Sequence, residues 1–145
     1  MEKNFFLEGK FMISTKGRYA LRVMIDLAEQ NSEKFIPLEE IANRQGISKK
    51  YLESVLKILV KNNLLQILRG RKGGYKLTRK PEEYTVGEIL KLTDAENLLI
   101  VNCLKKDCEP CERKNFCKTL PMWKDFNDLT EKFFSEITLE NLLNK

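Results

Sequence analysis

A chain of 145 residues, 42% of them hydrophobic, has material for one compact core with a small appendage and is too apolar for a disordered tail. No apolar run approaches the roughly 20 residues that span a bilayer, and the first residues carry Glu2 and Glu8 in place of an apolar leader, so the sequence reads as a cytoplasmic, non-membrane protein. The net charge of +5 is unevenly held: residues 1–80 carry 17 Lys/Arg against 8 Asp/Glu, and residues 81–145 carry 9 against 13. Halves of opposite sign imply two tasks, one of them meeting a polyanion.

In chain order, Met12-Ile13-Ser14-Thr15 has the look of a start, so residues 1–11 read as an extension without a role. From Thr15 to Glu29 the residues Tyr19, Ala20, Val23, Met24, Leu27 and Ala28 recur at helical spacing, before the polar break Asn31-Ser32-Glu33-Lys34. Pro37 opens a short second helix carrying Leu38, Ile41 and Ala42, which stops at Gly46. Ser48 is placed to cap a third helix with the apolar face Leu52, Val55, Leu56 and Leu59. Two short helices around Gln45-Gly46-Ile47 make a helix-turn-helix pattern. Beyond Asn62-Asn63 the period falls to two, with strands expected at Leu64–Leu68 and Tyr75–Thr78 about the loop Arg69-Gly70-Arg71-Lys72-Gly73-Gly74. Thr85-Val86-Gly87-Glu88 is a capping-box pattern opening a further helix with Ile89, Leu90 and Leu92. A loop is expected over the cysteines, then a helix from Pro121 with Trp123, Phe126, Leu129, Phe133 and Phe134 on one stripe, and a final turn over Thr138–Leu143. That stripe suits either an intramolecular core or a dimer interface. The fold class is therefore mainly α with a small β-hairpin wing: a winged helix-turn-helix followed by a long C-terminal helix.

Residues 43–80 contain 11 Lys/Arg and a single acid, Glu53, which is a footprint for nucleic acid. A recognition helix presents polar side chains from its first turn to base edges. Ser48, Lys49, Lys50 and Tyr51 occupy that turn, and Glu53 and Lys57 follow. Lys and Ser suit phosphate oxygens or guanine acceptors, and Glu53 suits a cytosine amino group. The loop Arg69, Gly70, Arg71, Lys72, leading to Tyr75, joins cations to glycines that let backbone approach a phosphate or enter a minor groove. A nucleotide-cradling loop is excluded, because the following Tyr75-Lys76-Leu77-Thr78 reads as strand and no Gly-Lys-Ser/Thr ending exists.

All four cysteines fall within fifteen residues, as Cys103-x4-Cys108-x2-Cys111-x5-Cys117. In a reducing compartment such clustering points to metal or redox chemistry before structural disulfides. Lys105, Lys106, Arg113, Lys114 and Lys118 are positioned to stabilise thiolate charge. Four thiolates complete either a tetrahedral zinc site or an iron-sulfur cluster, and the spacing leaves both open.

Ser14-Thr15-Lys16-Gly17-Arg18-Tyr19-Ala20-Leu21, Gln45-Gly46-Ile47-Ser48, Tyr51-Leu52-Glu53 and Arg69-Gly70 with Gly73-Gly74-Tyr75 resemble the IscR-type winged-helix transcription regulators, the family that also holds NsrR and CymR. The resemblance runs from about Met12 to the C-terminus. It implies a homodimer on pseudo-palindromic promoter DNA, paired through the helix that begins at Pro121. It also implies an iron-sulfur cluster, 2Fe-2S or 4Fe-4S: Cys111, Cys117 and Trp123 reproduce the family spacing, with Cys103 or Cys108 as a first ligand. The family's histidine ligand corresponds to Leu120 and its N-terminal carboxylate ligand to Arg18, in a chain with no histidine. All-cysteine ligation by Cys103, Cys108, Cys111 and Cys117 follows as the expectation.

The organisation expected is an extension at 1–11, a DNA-binding domain at 12–80, and a cysteine sensor segment with a dimerisation helix at 81–145. The expected function is a transcriptional repressor controlled by its cluster. A regulator with a zinc site or thiol redox switch, and a small iron-sulfur electron-transfer protein, are the alternatives. With no histidine and no acid-base constellation, an enzyme is not expected.

Overall fold

The computed structural model describes residues 13–31, 33–95 and 98–145. The extension expected at 1–11, with Met12 and Ser32, lies outside the described residues. The first helix, α1 (Thr15–Gln30), begins at Ser14, whose Oγ accepts the Gly17 N–H at 3.0 Å, and ends at Asn31 in the left-handed region. Its buried face is Ala20, Val23, Met24, Leu27 and Ala28, as the 3.6-residue spacing requires. Helix α2 (Leu38–Gln45) starts behind Pro37 and is stopped by Gly46 at φ 63°. Ser48 caps α3 (Lys49–Lys61), accepting the Tyr51 N–H at 3.3 Å, and the predicted face Leu52, Val55, Leu56 and Leu59 is fully buried. Burying each leucine contributes about 2 kcal/mol, so this face fixes how α3 lies on the domain.

Strands β1 (Leu65–Leu68) and β2 (Gly74–Leu77) pair antiparallel from Leu65↔Leu77 to Leu68↔Gly74. The predicted strands ran one residue further at the base. There Leu64 and Thr78 are drawn into a different set of bonds, centred on the buried hydroxyl of Tyr84. That hydroxyl accepts the Thr78 and Arg79 N–H groups at 2.9 and 2.8 Å and donates to the Leu64 carbonyl at 2.9 Å. On its other edge β2 exchanges hydrogen bonds of 2.9 and 2.8 Å with Ile36, so the hairpin is clamped from both sides.

Helix α4 (Val86–Asp94) is capped by Thr85, which accepts the Glu88 N–H at 3.1 Å. The expected capping box is half formed: the Glu88 carboxylate turns away to Arg79 at 2.7 Å, because a guanidinium offers a charged partner where the cap offers one amide. After the cysteine loop come α5 (Leu120–Glu136) and α6 (Leu139–Leu143). The chain then returns to the head: Val86 and Leu139 bond to Ile137 and Tyr84 carbonyls at 2.8 and 3.0 Å, and Leu139 is fully buried in one core with α1 and α3. The molecule is mainly helical with a two-stranded hairpin, and among the described residues no helix is long and apolar enough to cross a membrane.

Candidate DNA-reading surface and cysteine loop

The first turn of α3 projects from the surface, with Ser48, Lys49 and Lys50 exposed, Tyr51 half-buried, and Glu53 and Lys57 exposed further along. Lys50 and Lys57 form no ion pair among the described residues, whereas Lys49 reaches Glu39 at 2.9 Å. That exposed pair is worth little and is readily exchanged for a phosphate.

Helix α3 is held in place by contacts that hydrophobic spacing did not reveal. The Tyr51 ring meets Tyr19 of α1 edge-on at 5.5 Å, and Arg22 lies over Tyr19 while donating to the side chain and backbone carbonyl of Gln45. Asp26, 2% exposed on the inner face of α1, receives Arg44 through two bonds of 2.9 and 2.8 Å and Gln45 through a third of 2.9 Å. The hydrogen bond to Asp26, against some desolvation, holds the Arg44 guanidinium even more firmly protonated than usual. Arg44 therefore clamps the α2–α3 turn and does not offer its charge to a ligand. Arg79 is similarly occupied by Glu88 and by the Tyr84 ring at 4.3 Å, and Lys76 donates to the Glu33 carbonyl at 2.8 Å. The basic window is thus smaller than its residue count. Asp26 carried a sequence signal, since it stands three residues after Val23 and so falls on the buried stripe of α1.

At the wing, Arg69, Gly70, Arg71 and Lys72 are all exposed, and the three cations form no ion pair among the described residues. Gly70 turns the tip at φ 111°, a conformation that side chains resist. Gly74 is needed for a different reason: a Cβ there would fall 2.3 Å from the Ile36 carbonyl oxygen, into the backbone that clamps β2. The Tyr75 hydroxyl is pushed up from its ordinary pKa by burial first and then by Glu53, with Arg69 opposing. An acid of α3 and a cation of the wing thus act on one side chain.

The cysteines lie between α4 and α5 on irregular backbone with short 3-10 turns at Asn102–Leu104 and Lys114–Phe116. All four are free thiols; Cys111 is exposed and Cys103, Cys108 and Cys117 are half-buried. Cys108 Sγ lies 3.5 Å from the Cys103 carbonyl oxygen, and Cys117 Sγ lies 3.4 Å from Thr119 Oγ1. Hydrogen bonds from the Thr119 hydroxyl and amide, then from the Leu120 amide, with the charge of Arg113, hold the Cys117 thiol below the usual cysteine range despite partial burial. Among the described residues no three Cys, Asp or Glu side chains converge as a metal site. The donor set itself suits a soft metal or cluster: four thiols, no disulfide, and a backbone free of helix or strand constraints across most of the loop. Leu120, at the position of the family's histidine, is a buried apolar residue.

Helix α5 carries two apolar stripes where the sequence suggested one. Trp123 and Phe134 are half-buried, and the Phe134 backbone packs so closely on α4 that a Cβ at Gly87 would lie 3.2 Å from it. Met122, Phe126, Leu129 and Phe133 are 51, 39, 64 and 57% exposed. Their spacing of four, three and four residues makes a continuous outward seam.

Residues 13–145 match the Rrf2 family, described as an iron-dependent transcriptional regulator. The HTH-type transcriptional regulator IscR of Pectobacterium atrosepticum is 37% identical over 132 residues, covering 91% of this chain and 79% of that protein. Among solved structures, T. potens IscR is similar with a TM-score of 0.70 and 34% identity, over 92% of this chain and 86% of that one. CymR, the global cysteine regulator of B. subtilis, is similar with a TM-score of 0.71 and 32% identity, over 92% of this chain and 96% of that one. A match across nearly every described residue, on a helix-turn-helix with a hairpin wing, decides the class: the chain belongs to the Rrf2 family and is a winged-helix DNA-binding transcriptional regulator, not an enzyme.

Proposed function

We propose that the chain acts in the cytoplasm as a homodimeric repressor on double-stranded promoter DNA, and that an iron-sulfur cluster held by Cys103, Cys108, Cys111 and Cys117 controls that binding. One observation carries the proposal: five cations of α3 and the wing tip, Lys50, Lys57, Arg69, Arg71 and Lys72, are exposed and form no ion pair among the described residues. Arg44 and Arg79 of the same window spend their charge internally, on Asp26 and Glu88.

In this reading α3 enters a major groove. Ser48, Lys49 and Lys50 meet phosphates and guanine acceptors, Tyr51 is braced by Tyr19, and Glu53 accepts from a cytosine amino group. Lys57 meets the backbone, Arg69 and Arg71 reach the adjacent minor groove, and Gly70, Lys72 and Tyr75 shape and support the tip. Residues 12–80 read DNA, residues 81–145 sense and pair, and the outward seam of α5 packs on the α5 of a second copy. When bound, a cluster supplies the loop with a ligand whose presence depends on iron and redox state. The loop joins α4 to α5, so its ordering bears on the spacing of the two reading heads.

Anaerobic isolation followed by duplex titration tests this. A brown protein with bound iron and sulfide is expected, with affinity that changes when iron is removed by a chelator. Charge reversal at Lys50 and Arg69 together should weaken binding by at least about 100-fold and reduce the slope of log K against log salt by about 2. A duplex affinity without salt dependence would overturn the DNA surface. A colourless, iron-free protein would overturn the cluster.

The contact between Cys117 and Thr119 favours a second reading, a thiol switch or zinc site without iron, on which a colourless protein would lose or gain DNA affinity reversibly with oxidant and reductant, or with zinc.

A further inference from the structure

The segment Ser14–Gly17 has no part in the surface or the loop described above, yet the structure ties it to the far end of α4. Asp94, the last residue of α4, is 2% exposed. Its Oδ1 accepts the Ser14 backbone N–H at 2.8 Å and its Oδ2 accepts the Thr93 hydroxyl at 2.9 Å. The carboxylate therefore rests on the N-terminus of α1, where the aligned peptide dipoles favour negative charge. The fit explains Gly17: a Cβ there would fall 1.9 Å from Asp94 Oδ2. A buried carboxylate is tolerated when its partners are complete and costs heavily when they are not, so this contact is either made or broken with little between.

Each side of the joint leads to a functional element. Beyond Asp94 the chain runs into the cysteine loop, with Cys103 nine residues on. Beyond Gly17, within two turns of α1, come Tyr19 against Tyr51 in the first turn of α3, and Arg22 holding Gln45 at the α2–α3 turn. We infer that Asp94 is a positioning residue: by seating the end of α4 on the start of α1, it makes the placement of the DNA-reading helix depend on the state of the cysteine loop. The inference rests on the proposed roles of α3 and of the loop.

Because all four cysteines lie in residues 103–117, iodoacetamide alters the loop and no other cysteine. The experiment measures duplex affinity, and hydrogen exchange at the Gly17, Arg18 and Tyr19 amides without DNA, before and after alkylation of the full chain. It is run on the wild type, Asp94→Asn and Ser14→Ala. The wild type is expected to change affinity by about 5- to 150-fold and to shift the α1 amides, and Asp94→Asn to hold both responses within about twofold. Ser14→Ala removes the hydroxyl cap but leaves Asp94 its backbone donor, and should respond as wild type does; a merely structural role would move both variants alike. Should Asp94→Asn not fold, Thr93→Val, which removes one donor to the carboxylate, should show a partial loss of response. A wild-type response retained in Asp94→Asn, lost equally in Ser14→Ala, or missing from the wild type overturns the inference. If no protein binds duplex, the proposed function fails, and the exchange arm still decides whether Asp94 links loop to head.

Discussion

The reading head and the α5 half of the molecule treat their exceptional side chains in opposite ways. In the head, charged and polar groups that face inward find partners within the chain: Asp26 takes Arg44 and Gln45, and the Tyr84 hydroxyl serves three backbone groups. In the second half, four thiols lie in one loop without three converging, and the α5 side chains Met122, Leu129 and Phe133 are more than half exposed. The head is complete as one chain. The second half presents groups whose chemistry suits the partners proposed above, a soft metal for the thiols and an apolar surface for the seam.

The sharpest way to break that contrast is at the seam. Leu129→Glu with Phe133→Glu places two carboxylates where the proposal puts a second copy, and dimer affinity should fall by at least about 100-fold, since hot-spot residues commonly carry 2 kcal/mol or more each. Sedimentation equilibrium at micromolar concentrations reads the result. Unchanged assembly would show that the exposed stripe is covered by something else. The thermal midpoint of the monomer should move little, because both side chains are already more than half exposed.

A smaller effect sharpens the boundary between the regions. Tyr84 follows the wing in sequence but fastens its base, so Tyr84→Phe strands the Arg79 N–H, leaves the Thr78 N–H only its 3.4 Å bond to the Leu64 carbonyl, and takes a donor from that carbonyl. The loss should be about 2 to 3 kcal/mol, which lowers the melting temperature by roughly 5 to 10 °C for a chain of this size. Differential scanning calorimetry decides it, and a shift under about 1 °C would mean that water replaces the hydroxyl.

Much of the head was legible because its signals are local. Helical spacing placed Leu52, Val55, Leu56 and Leu59, and Ser48 and Gly46 marked a start and a stop; each depends on neighbours within a turn or two. Tyr84 was not legible, since nothing near it in sequence says that its hydroxyl will meet Leu64 twenty residues earlier. The capping box at Thr85–Glu88 was half misread for the same cause: a distant Arg79 competed for the glutamate. On α5, composition revealed an apolar helix but merged two stripes, and partial burial separates Trp123 and Phe134 from the exposed Phe126, Leu129 and Phe133. Cysteine spacing showed a donor set, but how such donors gather is settled by what binds them.

The smallest expected effect concerns the state of one donor. In the metal-free protein the Thr119 hydroxyl is the largest influence holding the Cys117 thiol below its ordinary range, followed by the Thr119 and Leu120 amides and Arg113. A depressed pKa means that the thiolate persists to lower pH than in a free cysteine, so at neutral pH Cys117 should react with iodoacetamide faster than an unperturbed thiol. Thr119→Val removes the hydroxyl and keeps the amides. The thiol then moves up, its anionic fraction at pH 7 falls, and alkylation at Cys117 slows several-fold, while well above both pKa values the two proteins converge because each is fully ionised. Peptide mapping by mass spectrometry across pH 6 to 10 separates Cys117 from the other three cysteines. A profile that fails to shift to higher pH in Thr119→Val would show that this hydroxyl does not donate to the sulfur. The thiol state of the loop would then be set by the backbone at the start of α5 and by Arg113.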